Sequence, residues 1–445
     1  MLVRPRKRCC RLLDFPRIGY NGVLPVEYST EDWVKHGQEL RRPLLVHPSI
    51  IEGDTSVIVG GGLSGMVTGY RIAKKNPRRR VIILEKEDRL GGVIDTWRSG
   101  DWLCDIAVSS ARPHPAFWRL VNDLNLGRSF RGSKMEAKER WIFLDGEYIK
   151  LSWKIILRMG VIKVLKSLFK SKNGGLSVSE IIPNKSFADA MTLGIVNQYS
   201  ESVDADFLFP SLTKFGKSPN LGSMRLAKKI RRTFPLFEPE RGSFGSFDNG
   251  MLELIDKLGQ ELADMPNVTV ILGSKYESLT EISEKFGVKA ESIIWSAPGI
   301  LQKNPDSEVS VFVVGYKEED TVKVPIGYGT LFPEPDIVFS GILHESDVHV
   351  GRRAPDGHRL FRLMIPISRW SGDEQEIIDC LMENFVDAVP VMFEKIGDRS
   401  IPAYEPGYMN RISSLDLDRT VTGWGGSGVS IVHVVDESER ISEMF

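Results

Sequence analysis

The stretch from Ser56 to Glu85 limits what this chain can fold into more than any other part of it. A short apolar run, Ser56-Val57-Ile58-Val59-Gly60, leads into Gly60-Gly61-Gly62-Leu63-Ser64-Gly65, and a helical pattern runs from Leu63 to Lys75. Pro77 marks the end of that helix, and Val81-Ile82-Ile83-Leu84-Glu85 reads as a second strand. A lone G-x-G-x-x-G hexamer is a weak signal. One that follows a strand and opens a helix inside a strand–helix–strand unit has a mechanism. The first glycine permits the tight turn, the second lets backbone approach a diphosphate, and the third lets helix and strand pack closely. The helix N-terminus adds unpaired N–H groups and a favourable dipole for an anion. Glu85 closes the second strand, where an acid accepts hydrogen bonds from ribose hydroxyls; without the loop it would read as a solvated strand end.

The rest of the chain reads as material inserted into and appended to this unit. Residues 115–240 look mostly helical, with a loop at Asn173-Gly174-Gly175. Strand signals return at 268–272, 292–295, 309–316 and 360–366, a helix is expected over 373–395, and Arg419-Thr420-Val421-Thr422-Gly423-Trp424 reads as a last strand before a closing helix. There is no internal repeat. The expected fold class is α/β, with a Rossmann-type nucleotide-binding domain that is discontinuous, a mixed-sheet substrate domain and a helical subdomain. The expected boundaries are an N-terminal extension over 1–50, the nucleotide domain over 51–130, 241–305 and 401–445, the helical part over 131–240, and the substrate domain over 306–400.

Composition narrows the partners. A formal net charge of −1 argues against nucleic acid, which calls for a basic surface. The cysteines Cys9, Cys10, Cys104 and Cys380 include no CxxC pair, and the histidines form no HxxxH pair, so neither a zinc site nor a disulfide framework is expected. No apolar run is long enough for a spanning helix. Gly423-Trp424-Gly425-Gly426-Ser427-Gly428 repeats the G-x-G-x-x-G pattern, but too little chain lies beyond it for a second nucleotide unit. It reads instead as a glycine-rich approach to the cofactor, with a helix starting near Val429 whose N-terminus would favour negative charge on a reduced ring.

The residues after Glu85 point to the cofactor. Glu85-Lys86-Glu87-Asp88-Arg89-Leu90-Gly91-Gly92 reads E-x-x-x-R-x-G-G and resembles the signature of a flavoprotein group that includes amine oxidases, phytoene desaturases and protoporphyrinogen oxidases. That resemblance implies FAD, with Arg89 offering a cation near its phosphates. More particular segments resemble the protoporphyrinogen oxidase family from about Ser56 to the C-terminus. They are Gly194-Ile195 followed by Phe209-Pro210-Ser211-Leu212, Gly327-Tyr328-Gly329-Thr330-Leu331-Phe332-Pro333, Gly341-Ile342-Leu343-His344-Glu345-Ser346, Pro402-Ala403-Tyr404 with Gly407, and Gly428-Val429-Ser430. The chain departs from the family at Tyr199, where an Asp is usual, at Val93, where many members have Trp, and at Ala107-Val108-Ser109, which replaces G-P-R. Plant-type members share that last loss.

The resemblance implies oxidation of protoporphyrinogen IX to protoporphyrin IX with FAD and molecular oxygen, a step of heme biosynthesis. The cofactor set it implies is Gly60, Gly61, Gly62, Leu63, Ser64, Gly65, Glu85, Lys86, Arg89, Gly91, Gly92, Val93, Ala107, Val108, Ser109, Ser110, Tyr276, Val429, Ser430 and Ile431. A flat apolar dianion calls for apolar walls and a forked cation. Arg140 matches the family arginine before an aromatic strand and Arg112 is a second choice; Leu331 and Val348 match wall positions. Gly194 matches a glycine whose carbonyl faces the macrocycle. The bland alternatives are a surface arginine, core apolars and a turn glycine.

Two basic stretches bear on location. Residues 1–13 carry Arg4, Arg6, Lys7, Arg8 and Arg11 without an acid, which fits either a mitochondrial transit segment or a basic tail. Residues 150–172 carry Lys150, Lys154, Arg158, Lys163, Lys166, Lys170 and Lys172 opposite Trp153, Ile156, Leu157, Val161, Val164, Leu165 and Leu168. Such a basic amphipathic helix suits an anionic membrane surface, although most amphipathic helices pack on their own core. With the family's membrane attachment, this leads to an expectation of peripheral association with the mitochondrial inner membrane. A monomer and a homodimer are both open. Two other readings remain: a different amine-oxidase-like flavin oxidase, and a catalytically impaired homologue that keeps the fold.

Overall fold

The computed structural model describes residues 42–112, 114–152, 160–215, 244–276 and 278–445. The basic residues of the N-terminus and the Trp153–Arg158 part of the amphipathic stretch lie outside the described residues.

The opening unit forms as its sequence dictates: strand β1 (Thr55–Val59), helix α1 (Leu63–Lys75) and strand β2 (Arg80–Leu84). Residues on β1 and β2 alternate between two apolar layers. Ile58, Val81 and Ile83 face α1, while Val57, Val59, Ile82 and Leu84 face the opposite side. Strands β3 (Thr96–Ser99) and β4 (Trp102–Asp105) form a small hairpin, and helix α2 (Pro115–Asp123) comes next. The region after it departs from the helical expectation. It holds strands β5 (Phe130–Gly132), β6 (Arg140–Leu144) and β7 (Glu147–Lys150) before the chain turns helical. The Asp145-Gly146 turn explains the hairpin, since both residues take positive φ there.

Helices α3 (Val161–Lys170), α4 (Val178–Ile181), α5 (Lys185–Val196) and α6 (Ala205–Leu208) make the helical layer. Then come strand β8 (Gly245–Phe247), helix α7 (Leu252–Asp264), strand β9 (Val268–Ile271), helix α8 (Leu279–Phe286) and strand β10 (Ile294–Trp295). The last third adds strands β11 (Ser307–Lys317), β12 (Gly329–Leu331) and β13 (Gly341–Leu343), helix α9 (Glu345–Val348) and strand β14 (His358–Pro366). Helix α10 (Glu374–Asn384) is shorter than the expected 373–395, and strand β15 (Met392–Ile401) occupies the remainder. Pro390 lies between them and has no N–H for a continuing helix. Helix α11 (Tyr408–Ile412), strand β16 (Thr420–Val421), the single turn α12 (Trp424–Ser427) and helix α13 (Ile431–Ser442) close the chain.

Two sheets organise the molecule. The first is parallel throughout, in the order β16-β10-β1-β2-β9. Helices α1, α2, α7 and α13 bury its one face, and α8 covers the other. The second sheet has seven strands in the order β15-β11-β14-β13-β12-β6-β7 and is antiparallel except at β12 and β6. So β6 and β7, expected in the helical part, belong to the second sheet. The N-terminal extension also joins the body. Leu45 bridges Val421 at the edge of the first sheet, and Arg42 and Ile50 are buried.

Candidate functional site

The glycine loop forms the cradle that its sequence predicts. At Gly65 a Cβ would lie 1.9 Å from the Gly60 carbonyl oxygen, so only glycine allows α1 to seat on β1. At Gly61 a Cβ would lie 2.6 Å from Leu90 Cδ2, and Gly62 and Gly92 face each other backbone to backbone, with a Cβ on Gly92 meeting Gly62 Cα at 3.2 Å. The Gly91 amide donates to the Gly61 carbonyl at 2.9 Å, which ties the two glycine segments into one floor. Gly62, at the N-cap of α1, offers no side chain to its first turn, so those N–H groups are left to a ligand. Leu63 and Ser64 are buried, and the Ser64 hydroxyl donates to Thr422 at 2.9 Å. Glu85 is buried at the strand end and accepts from the Gly61 amide at 2.5 Å and the Glu87 amide at 2.9 Å. A glycine-lined backbone cradle with a buried acid at its rim fits the adenosine half of FAD.

Several members of the expected cofactor set make contacts within the chain. The Arg89 guanidinium folds back on its own loop, donating to the carbonyl of Gly92 at 2.8 Å and pairing with Asp95 at 3.4 Å. It braces the Gly91-Gly92 turn. Lys86 pairs with Glu87 in solvent, and Val93 is exposed. Tyr276 packs on the opposite face of the first sheet from α1, against Phe286 and within hydrogen-bond reach of Lys285. Its ring is drawn there by the apolar layer of Val57, Val59, Ile82 and Leu84.

The second glycine hexamer closes the site from the C-terminal end. Gly423 and Gly428 take φ of 96° and 98°, and helix α13 starts at Ile431, two residues beyond the expected Val429, with Ser430 as its N-cap residue. Glu437 on that helix accepts from the Gly423 amide at 2.7 Å, and burial raises its pKa to about 8. Arg42 lies against Gly428, where a Cβ would meet its guanidinium carbon at 2.5 Å. Arg42 donates to the carbonyl of Phe207 at 2.8 Å and contacts His433 Nδ1 at 3.4 Å. Burial, helped by Arg42, holds His433 well below its usual pKa, so its neutral ring accepts. Neither Arg42 nor Glu437 was legible as a site residue, because their roles depend on chain segments distant in sequence.

The segment Asp105–Ser110 joins the two sheets. The Asp105 carboxylate accepts from the Met251 amide at 2.6 Å and from Thr96 at 2.7 Å. From the other side, Arg362 on β14 donates to the carbonyls of Asp105 and Ala107 and to the Ser109 hydroxyl, the last two at 3.3 Å and 3.2 Å. Arg362 is paired with Glu345 at 3.0 Å, and Glu345 also meets His349 at 2.9 Å. Burial opposes a charge on Glu345, but Arg362, His349 and Arg353 outweigh it and bring its pKa down to about 2. The sequence did carry a trace of this. Arg362 stands inside the apolar run Leu360-Phe361-Arg362-Leu363, where an arginine needs a buried partner.

Of the expected substrate residues, Leu331 and Gly194 meet between the second sheet and the helical layer, while Arg140 and Arg112 lie by Phe244. Gly329 pairs with Arg140 and Leu331 with Ile142 across β12 and β6, which puts Arg140, Ile142 and Leu331 on one face. Ile142 and Leu331 pack with Phe187 and Ala190 of α5 on that face. At Gly194, on the same helix, a Cβ would sit 2.6 Å from Leu331 Cδ2, so close packing already accounts for the glycine. Arg140 lies over the rings of Phe244 and Tyr328 at 5.3 Å and 5.1 Å, and Arg112 lies 6.0 Å from Phe244. The two rings stack at 5.0 Å. Among the described residues no carboxylate pairs with either arginine. Burial, and to a lesser degree the charge of Arg112, lowers the Arg140 pKa. Val348 is buried at the end of α9, and its carbonyl accepts from the Lys134 amide at 2.9 Å. Tyr199, where the family has an Asp, receives a hydrogen bond from Arg369 at 3.1 Å and so ties the helical layer to the second sheet.

Comparison with known proteins agrees with this geometry. An NAD(P)-binding Rossmann-like domain is matched over residues 58–124. Protoporphyrinogen oxidases from Bos taurus and Homo sapiens are 29% and 28% identical over 102 residues, covering 21% of this chain and 21% of each relative. The match thus spans about a fifth of those curated relatives. A solved structure from Exiguobacterium sp. 255-15, provisionally described as a protoporphyrinogen oxidase, superposes with a TM-score of 0.62 at 13% identity, covering 88% of this chain and 98% of that one. Cyclohexylamine oxidase from Brevibacterium oxydans IH-35A gives 0.60 at 12% identity with the same coverage. At these identities the likeness is one of fold: a mixed α/β architecture with a Rossmann-like domain and a second, mixed sheet.

Proposed function

We propose that this chain binds FAD in the Gly60–Gly65 cradle and oxidises protoporphyrinogen IX to protoporphyrin IX with molecular oxygen as acceptor. The observation that carries the substrate is the pair Arg140 and Arg112 set around the stacked rings of Phe244 and Tyr328. Two guanidinium groups without carboxylate partners among the described residues suit a flat apolar ligand bearing propionates. The same pair repels a protonated amine, which weighs against the amine-oxidase reading. When bound, FAD supplies the hydride acceptor, and that chemistry is the cofactor's own. The protein's part is to bind and orient. Glu85 and the glycine floor hold the adenosine half. Arg140 and Arg112 fix the propionate edge, and Leu331 and Val348 supply apolar wall.

The same reading puts the protein on a membrane surface, at the mitochondrial inner membrane. Helix α3 buries none of its residues and exposes Ile162, Leu165, Leu168 and Phe169 beside Lys163, Lys166 and Lys170. Among the described residues no helix is long and apolar enough to cross a membrane. Aerobic incubation of the purified protein with protoporphyrinogen tests the activity. Porphyrin fluorescence rising faster than autoxidation in buffer is expected, and a rate equal to autoxidation, from protein that holds flavin, overturns the substrate assignment.

A further inference from the structure

We infer that Arg362 is a positioning residue for the cofactor side of the site, turning the amide of Val108 away from the second sheet and toward a ring acceptor of the bound flavin. The inference rests on the FAD reading above and deepens it.

The geometry starts from one carbonyl. Ala107 O accepts from Arg362 at 3.3 Å and from Arg399 at 3.3 Å, so two guanidinium groups from β14 and β15, the strands on either side of β11, converge on it. A trans peptide holds its C=O and the next N–H antiparallel. Fixing Ala107 O toward the sheet therefore fixes Val108 N–H away from it. The neighbouring contacts reinforce this. Arg362 also takes the Asp105 carbonyl and the Ser109 hydroxyl, and the Glu345 carboxylate forms an ion pair with it, 3.0 Å from its Nε. Asp105, anchored by Met251 and Thr96, prevents the segment from following the arginine.

The amides of this segment are the second observation. Ile106 donates to the Asp95 carbonyl at 3.0 Å and Ala111 to Gly245 at 2.8 Å. Between them, the N–H groups of Ala107, Val108, Ser109 and Ser110 meet no acceptor among the described residues, although Ala107 and Ser109 are buried. Buried main-chain donors are nearly always paired, so a row of unpaired ones marks a place for an acceptor from outside the chain. A flavin presents such acceptors along the edge that carries N5 and the C4 carbonyl. Arg399 has no carboxylate partner among the described residues, and burial, with Arg362 beside it, lowers its pKa to about 10. Its guanidinium is held by the segment it positions.

The test compares the wild-type chain with Arg362→Lys and with Arg362→Met combined with Glu345→Gln, which removes the pair without stranding a buried charge. Thermal unfolding without cofactor checks folding, FAD titration by fluorescence gives affinity, and the visible spectrum and reduction potential of bound flavin report on the ring. A folded double variant is expected to bind FAD about tenfold more weakly or worse, with a shifted spectrum and potential, and Arg362→Lys is expected to fall between it and wild type. If Arg362 served stability alone, unfolding would shift while affinity stayed within about twofold and the ring signals were unchanged; that result overturns the inference. Should the double variant not fold, Arg362→Lys decides by the same readouts. A wild-type chain that takes up no FAD overturns the cofactor reading and this inference together, whereas flavin-loaded wild type with unchanged variants overturns the inference alone.

Discussion

Single side chains give the sharpest tests of the proposed site. Glu85 meets two amides of its own loop, and in the proposed complex its carboxylate also receives the ribose hydroxyls. Glu85→Ala is expected to weaken FAD binding by roughly ten- to a hundredfold, the worth of a hydrogen bond to a charged acceptor. Flavin retained through gel filtration measures it, and full retention counts against the ribose role. Arg140→Ala is expected to raise KM for protoporphyrinogen by a similar factor with kcat less affected, and Arg140→Lys to recover part of it, because a single ammonium cannot reproduce the planar fork. Glu437 gives a pH signature. Its folded pKa is about 8 against an ordinary 4.5, so the unfolded chain ionises first. Its contribution to stability is intact below about 4.5 and is lost as pH rises toward about 8. Glu437→Gln keeps an acceptor for the Gly423 amide and removes the titration. Its Tm is expected to gain on wild type steadily between those limits; parallel Tm profiles would refute the assignment.

At the scale of elements, legibility followed local chemistry. The span Leu63–Lys75 was readable to the residue because the glycine loop starts the helix and Asn76-Pro77 ends it. Strand β7 was not readable, and β6 was read as a strand only through the resemblance, inside a region otherwise taken as helical. Arg140-Trp141-Ile142-Phe143-Leu144 is a short apolar run without clear alternation, and only its pairing with β12 settles it as a strand. The same holds for β15, whose Glu394, Lys395, Asp398 and Arg399 hide the strand until β11 is beside it. Helix α3 was legible in character, since its apolar and basic faces are separable by spacing. Ile162→Asp with Phe169→Asp should abolish sedimentation with vesicles containing anionic lipid and leave flavin content unchanged. Wild-type binding by that variant, or binding indifferent to salt, would remove the membrane role.

For the whole molecule, the nucleotide half of the site could be read from sequence and the substrate half only in outline. The cradle is local: Gly60 to Gly92 makes most of it from one unit of chain. The ring-facing part is assembled from Asp105–Ser110, β14 and β15, and the N-terminal extension reaches Gly428 through Arg42. No window of sequence contains such a contact, so Arg399 and Arg42 looked like ordinary cations, and Arg362, inside an apolar run, showed only that it needed a buried partner. The same assembly argues against a degenerate scaffold, because a buried ion pair and a row of open amides are costly to keep without a ligand. The central claim is that the open backbone after β1 is a flavin cradle. Titrating the cofactor-free protein with FAD while recording its visible absorbance and fluorescence is the direct measurement. Saturable binding at one FAD per chain, abolished by Gly61→Val, is predicted; absence of saturable binding by the folded wild-type protein would contradict it.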